Sequence, residues 1–435
     1  MSRFVLDRPA SAADFPTLRT EIAGVRVAKI AHEFGTPTFV YDAQAIATRV
    51  ADLQAFDAIR YAQKACSNIG ILDLMRREGV LVDAVSAGEI HRALKAGYQP
   101  VGVDVHSPRP IVYTADIFDR DALDLVVMHD LHVNCGSPDM IDQLGQVKPG
   151  AEITLRINPG FGHGHSQKTN TGGEQSKHGI WHEQLDDCLR RCDHYGIGVI
   201  GLHLHIGSGT DLEHLSQVCG ALEKLALRVG RSIKTISAGG GLPVPYKPGD
   251  TFVDIGVYYK LWDATRKKLE AEFHHPVHLE IEPGRYLVCE SGYLVTEIRA
   301  VKHMGKNTFY LTDAGFNNLA RPILYGSYHP ISIVPRHPRP HPEECDVIVG
   351  GPLCESGDIF TQTEGGFVCT RRLPLAEVGD WLVLENVGAY GFAMGSNYNS
   401  KPYAAEVLVH GQTPYLVRER QSFDDLTRGE VIPKY

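Results

Sequence analysis

Short apolar runs rich in β-branched residues recur along the chain up to residue 284. Each is closed by a polar or glycine-rich stop, and helical spacing comes after most of them. Eight such runs stand out: IRYAQKA (59–65), VLVDAVS (80–86), IVYTA (111–115), LHVNCGS (131–137), ITLRINP (153–159), VIGLHLHIGS (199–208), TISAGGG (235–241) and HLEIEPG (278–284). Between them, Ala87–Ala96 and Leu212–Leu227 place apolar residues at helical intervals. Eight strands alternating with helices predict an α/β fold, a parallel (β/α)8 barrel of the TIM type. An open doubly wound sheet is the alternative, but its first strand should lead into G-x-G-x-x-G, and none follows Lys64.

Beyond about residue 295 the pattern changes. TEIRAVKHM, NTFYLTDAG, CDVIVGGPL and DWLVLENVGAY are short β-like runs broken by Gly, Pro and Asn, which predicts a mostly antiparallel β domain. GVRVAKIA and TPTFVYD, before the barrel, also read as β-like runs that could join that domain. The expected division is 1–40 as N-terminal strands, 41–295 as barrel and 296–435 as β domain. The proline-rich VPRHPRPHPEE (334–344) reads as a surface loop.

Composition narrows the function. Forty-three Lys+Arg against 52 Asp+Glu give a formal charge of −9 over 435 residues, unlike a phosphate-backbone binder, so no nucleic acid is expected. No run of about 18 apolar residues exists, and no membrane partner is expected. The N-terminus has no apolar stretch behind its basic residue, so no secretory signal is expected. Nine cysteines without a CxxC pair fit free thiols in a reducing cytoplasm.

The reactive residue types gather at the ends of the runs. Lys64, Ser86, Asn134, Asn158, His205, Gly239–Gly241, Glu282 and Arg285 all fall there, and barrel enzymes place their chemistry on that face. Lys64 could snorkel outward or pair with a carboxylate; it could instead be a Schiff-base lysine whose amine is activated by desolvation. Glu282 and Arg285 could simply pair; alternatively, a carboxylate at this place could keep a pyridine nitrogen protonated. His203 and His205 lie on one face of their strand. HxH could mark a metal, but in metal-dependent barrel hydrolases it lies on the first strand, and here it is on the sixth, so no metal is expected. Gly207-Ser208-Gly209 and Ala238–Gly241 offer amides and a hydroxyl on adjacent strand ends, which suits a phosphate. Without G-x-x-x-x-G-K-[ST], a nucleoside triphosphate is not indicated. Cys354, in GGPLCESGDIF, reads on its own as an inert thiol.

Taken in order, YAQKACSN, VDAVSAGE, LHIGSG, SAGGGL, EPGR, RPILYG, GPLCESGD and GAYGFAMGSNYN resemble the fold-type III pyridoxal-phosphate decarboxylases, the diaminopimelate branch above all. The resemblance runs from about residue 30 to 425, nearly the whole chain. RINPGFGHGHSQKTNTGGEQSKHGI (156–180) resembles one bacterial subgroup, and its histidines 163, 165 and 178 are read as part of an active-site loop. The resemblance implies pyridoxal 5'-phosphate as cofactor, held covalently by Lys64, with His205 stacked on the ring and Glu282 at its nitrogen. It implies that Asp83, Glu89 and Arg156 support the pocket. It assigns the phosphate to Ser208, Gly240, the turn Glu282-Pro283-Gly284-Arg285 and Tyr390. By the same resemblance, Arg285, Arg321, Tyr325, Tyr390 and Glu355 bind a small-molecule substrate. Cys354 is the implied proton donor, which an implied homodimer supplies with Glu355 from the partner chain.

The implied reaction is decarboxylation of meso-2,6-diaminopimelate to L-lysine. A substrate with a distal ammonium and a distal carboxylate needs both Glu355 and the two arginines. The alternatives are another diamino acid such as D-lysine or D-ornithine, an alanine-racemase-like enzyme, and a catalytically dead cofactor-binding protein. Cys354 where racemases use tyrosine argues against the second. One departure stands out: Asp116 occupies a place where many relatives carry lysine.

Overall fold

The computed structural model describes residues 13–102, 107–161, 172–205, 212–337, 339 and 342–435. By internal contacts the chain forms two units. The first takes Thr48–Val244 and Phe252–Leu287; the second takes the segment ending at Ala47, Pro245–Thr251 and Val288–Tyr435.

The first unit is the expected barrel. Its strands are β1 (Ala58–Ala62), β2 (Leu81–Ala84), β3 (Ile111–Ala115), β4 (His132–Cys135), β5 (Glu152–Asn158), β6 (Gly198–Leu204), β7 (Thr235–Ser237) and β8 (His278–Ile281). Each pairs in parallel with the next, and β8 returns to β1 with Glu280 opposite Ala58, which closes the ring. The helices are α1 (Ile69–Arg77), α2 (Ala87–Lys95), α3 (Arg120–Met128), α4 (Pro138–Val147), α5 (Leu185–Tyr195), α6 (Leu212–Val229) and α7 (Ile255–Phe273). A two-residue strand, Ile180–Trp181, adds in parallel to β5 after the 160–178 loop and was not expected from the sequence.

Capping fixes how far each strand-to-helix connection extends. Asn68 accepts the Gly70 N–H at 2.8 Å, Ser86 accepts that of Glu89 at 3.2 Å, and Asp119 accepts that of Ala122 at 2.7 Å. These caps satisfy otherwise orphaned helix-start donors and lock the first turns of α1, α2 and α3. The segment between Ala62 and Asn68 is therefore short, and it carries Lys64.

The second unit is built on one long strand, Gly292–Met304, which pairs with Thr38–Asp42, Asn307–Thr312 and Trp381–Glu385. The sheet is mostly antiparallel as expected, but two of its pairings are parallel: Thr38–Asp42 with Ala405–His410, and Asn307–Thr312 with Glu344–Gly350. TPTFVYD does join this sheet. GVRVAKIA does not: after a two-residue strand it forms the helix Val27–Phe34. Val27, Ile30 and Ala31 share one helical face and pack with Val295, Trp381 and Val383. A short apolar run fits either period, and burial of that face decides for the helix.

Candidate active site

The strand ends of the barrel bring together Lys64, Asp83, His205, Gly240 and the turn Glu282–Arg285. Ala62 donates its N–H to the Pro283 carbonyl at 3.1 Å, so the EPGR turn lies against the residues that lead into Lys64. A Cβ at Gly284 would come within 3.1 Å of the Ala62 carbonyl oxygen, so glycine allows this approach. Lys64 stands in a one-turn 3-10 helix, Gln63–Ala65. Its neighbours Ala62, Gln63, Ala65 and Cys66 are buried while Lys64 itself is exposed. Lys64 projects from a buried frame, and its charge acts on Asp83 and Glu89.

Asp83 in turn forms a buried carboxylate pair with Glu282. Glu282 is only 6% exposed; its Oε1 accepts the Ser237 hydroxyl at 2.7 Å, and its Oε2 lies 3.3 Å from His203 Nε2. Burial, then the charge of Glu280, pushes the Glu282 carboxyl up, against the pull of Ser237, Arg60 and Arg156. Asp83, at the end of β2, is raised to about 7 by burial first and by Glu282 second. Its Oδ1 has no hydrogen-bond partner. Glu89 turns back from α2 to accept the Val85 N–H at 2.8 Å, and burial raises it to about 7 as well.

His203 and His205 stack with centroids 6.5 Å apart and 23° between planes. Burial, helped by the nearby Arg156 and Lys64 charges, drives both well below the usual histidine range, so both are neutral. His205 Nδ1 accepts the Gly240 N–H at 3.1 Å, which fixes its tautomer with the proton on Nε2. Gly239 has φ +63, and a Cβ there would lie 2.6 Å from the Leu204 carbonyl oxygen; one at Gly240 would lie 2.6 Å from that of Glu282. Only glycine fits this cradle. The Gly240 amide is committed to His205, so it reaches a phosphate only by giving up that bond. Ser208, expected to hold the same phosphate, lies outside the described residues, as do His163 and His165.

The other predicted residues belong to the second unit. Arg321 is 7% exposed, and its guanidinium carbon lies 5.6 Å from the Tyr246 ring centre and 5.9 Å from those of Tyr325 and Tyr390. Tyr390 has φ +59, a left-handed conformation that is an outlier for a bulky side chain. The flanking Gly388 and Gly391 have no room for a Cβ against the Val288 and Val387 carbonyls, and this tight turn imposes the strain. Cys354 and Glu355 are exposed on a loop tied by Asp358, which accepts the Leu353 and Phe316 N–H groups at 2.8 and 2.7 Å. The Cys354 N–H donates to Asn399 Oδ1 at 2.7 Å.

Sequence reasoning passed over several residues here. Ser237 holds Glu282, and Tyr246 completes the ring of aromatics about Arg321. Glu280 and Arg60 form a bidentate pair at 2.6 and 2.9 Å inside the barrel. The alternation in HLEIEPG was the available signal, because it puts Glu280 and Glu282 on one face of β8. The departure at Asp116 has a partner: its Oδ2 holds His178 Nδ1 at 2.7 Å and its Oδ1 accepts the Gly179 N–H at 2.9 Å. Together with Asn158, which binds Gly160, Gly173 and His178 backbone, it closes the base of the 160–178 loop.

The arrangement meets the requirements of an aldehyde cofactor with a pyridine ring and a phosphate. It offers an exposed amine, a buried carboxylate, a neutral imidazole and a glycine cradle, and it leaves Asp83 Oδ1 unpaired. Comparison with known proteins agrees. Residues 44–289 match the family model described as pyridoxal-dependent decarboxylase, pyridoxal binding domain. The chain belongs to the pyridoxal-dependent decarboxylases, and its cofactor is pyridoxal 5'-phosphate. Diaminopimelate decarboxylase of Streptomyces coelicolor is 52% identical over 97% of this chain and 96% of its own length. A crystal structure of diaminopimelate decarboxylase is 53% identical, with a TM-score of 0.89 over 92% of this chain and 94% of that one. The Helicobacter pylori diaminopimelate decarboxylase complexed with L-lysine is 28% identical, with a TM-score of 0.79 over 92% and 98%. Within its class, the chain is a member of the diaminopimelate decarboxylase family.

The carboxylate pair makes a testable prediction about the cofactor-free protein. The folded-state Asp83 carboxyl is raised above its unfolded value of about 3.9, so the stability it contributes is full below that pH. That contribution is lost as pH rises through about 7. Asp83→Asn should therefore stabilise the cofactor-free protein at pH 8, by roughly 1–3 kcal/mol, with the difference vanishing near pH 4. Chemical denaturation at the two pH values measures this; an equal effect at both would contradict it.

Proposed function

We propose that this chain, as a cytoplasmic homodimer with shared active sites, decarboxylates meso-2,6-diaminopimelate to L-lysine and carbon dioxide, the last step of lysine biosynthesis. The single observation that carries the reading is the EPGR turn seated on the end of β1. It sets a buried acid beside the strand end from which the only lysine of that connection projects. The names of the relatives, which cover nearly the full chain, support the same substrate. No helix among the described residues is long and apolar enough to cross a membrane, and none of the nine cysteines is in a disulfide.

When bound, pyridoxal phosphate supplies a cationic ring that takes up the electron pair left by the departing carbon dioxide. This chain's residues do the rest. Lys64 would anchor the aldehyde carbon, and Glu282 would hold the proton of the ring nitrogen. His205, neutral and held by the Gly240 amide, would cover one face of the ring without adding charge. Pro283, Gly284 and Arg285, with Ser208 and Tyr390, hold the phosphate. By the resemblance, Arg321, ringed by three aromatic side chains, and Tyr325 of the second unit and Arg285 of the first would serve the distal carboxylate, and Glu355 the distal ammonium. The Cys354 Sγ delivers the proton that replaces the lost carboxylate.

The test is product analysis. Purified protein given meso-diaminopimelate should release carbon dioxide and lysine in equal amounts, with turnover on D-lysine at least about a hundredfold lower. A missing ion pair to the distal carboxylate has that cost. Release of carbon dioxide from D-lysine alone would overturn the substrate assignment.

A further inference from the structure

Barrels of this kind are normally filled by layers of branched side chains. Here the half of the interior nearest the strand starts is polar and open. A cavity of about 560 Å3 begins at the exposed Glu152, Lys234 and His278, where β5, β7 and β8 begin. It passes Arg60, Glu280, His132 and Thr154, and ends at Ser237 and Glu282. Its far end therefore touches the carboxylate proposed to face the ring nitrogen, from the side away from Lys64. Small residues create the room: Ser237, Thr235 and Thr154 stand where larger side chains would close it. His132 Nε2 is hydrogen-bonded to Thr154 Oγ1 at 2.8 Å. Burial and then Arg60 hold this histidine down to about 4, so it stays neutral and can accept or donate. The Arg60–Glu280 pair is bonded to itself and adds no net charge. A cavity of this size and polarity has room and hydrogen-bonding partners for several waters.

The geometry points to this cavity as a proton route that joins Glu282 to bulk water through the start of the barrel, independent of the face where substrate enters. A proton leaving the Glu282 carboxyl passes to a water bound at Ser237, and each water hands one proton to the next until bulk is reached. The reverse transfer restores the acid, so nothing is consumed. The groups that face Glu282 are Arg60 from β1, Asp83 from β2, Arg156 from β5, His203 from β6 and Glu280 from its own strand, with Ser237 from β7. Of these, Arg60, Glu280 and Ser237 line the cavity. The inference rests on the proposed function, in which Glu282 holds the proton of the ring nitrogen.

The test is a stopped-flow pH jump on the holoenzyme, following cofactor absorption. Two plugs are compared with the native chain, Thr235→Phe and Ile200→Trp, neither of which belongs to the binding machinery. Expected are unchanged spectra at each final pH and a relaxation at least tenfold slower in both plugs. Native-rate relaxation in a plugged protein overturns the route. Glu282→Gln should lack the relaxing phase altogether; if it keeps that phase, the assignment of Glu282 fails rather than the route. Should neither plug fold, a high-resolution crystal structure of the native chain decides. Ordered waters from Ser237 to the Lys234 mouth support the route, and a dry interior overturns it.

Discussion

Lys64→Ala is expected to remove turnover almost entirely, by at least about four factors of ten, or about 5.4 kcal/mol of barrier. The reason is geometric. Lys64 is the residue of its turn that projects outward, between the buried Gln63 and Ala65, and the EPGR turn packs against the strand that leads to it. No other lysine lies between Ala62 and Asn68. The same exposure makes the substitution nearly harmless to the fold, since surface changes usually stay within about 0.5 kcal/mol. The expected result is therefore a protein that unfolds at the native temperature, has lost the absorption of the covalently held cofactor, and does not turn over. A Lys64→Ala protein that retained that absorption and released carbon dioxide would break the assignment. Added alkylamines, acting as external bases and nucleophiles, should recover part of the rate in proportion to their concentration. A purely structural role for Lys64 would give no such recovery.

The barrel was legible because its strands announce themselves locally, as β-branched runs closed by a stop, and after β1, β2 and β3 a capped helix follows. The eight runs all became strands, and Lys64, His205, Gly240 and the EPGR turn follow four of them at one end of the barrel. What the alternation of polar and apolar positions could not reveal was the interior. Arg60 reads as one arginine in IRYAQKA, and only the closure of β8 onto β1 brings Glu280 to it, 220 residues along the chain. Asp116 looked like an unexplained departure because its partner His178 is 62 residues away. The second unit was harder for the same reason. Thr38–Asp42 and Ala405–His410 are parallel neighbours separated by nearly the whole chain, and no local pattern specifies that pairing. Strain was also invisible: GAYG shows two glycines, but not that they force Tyr390 into the left-handed region. Cys354 and Glu355 stand on a loop whose shape depends on Asp358. Its sequence shows the acids, and only the fold shows which of them is structural.

Glu282→Gln is the second large effect, and it separates charge from shape. Glutamine has nearly the same volume and can still accept the Ser237 hydroxyl on Oε1, so the turn and the glycine cradle should stay in place. What disappears is the negative charge proposed to face the ring nitrogen. A buried charge-assisted hydrogen bond is about twice as strong as a neutral one, and in the transition state it balances the electrons arriving in the ring. A loss of about 2.7–4 kcal/mol, or roughly a hundredfold to a thousandfold in kcat, is expected, with KM changed far less because the distal contacts are untouched. The cofactor-free protein should respond in the opposite direction. Glu282 is raised by burial, then by Glu280, and it raises Asp83 in turn. Its stabilising protonated form is present below the unfolded carboxyl range and is lost as pH rises through the elevated folded value, so Glu282→Gln should make the cofactor-free protein more stable at pH 8. A variant that is slower in turnover yet harder to unfold when cofactor-free is the signature of a charge held against its own solvation for the sake of the ring. Unchanged kcat together with lowered stability would mean that Glu282 is a structural residue and the ring nitrogen lies elsewhere.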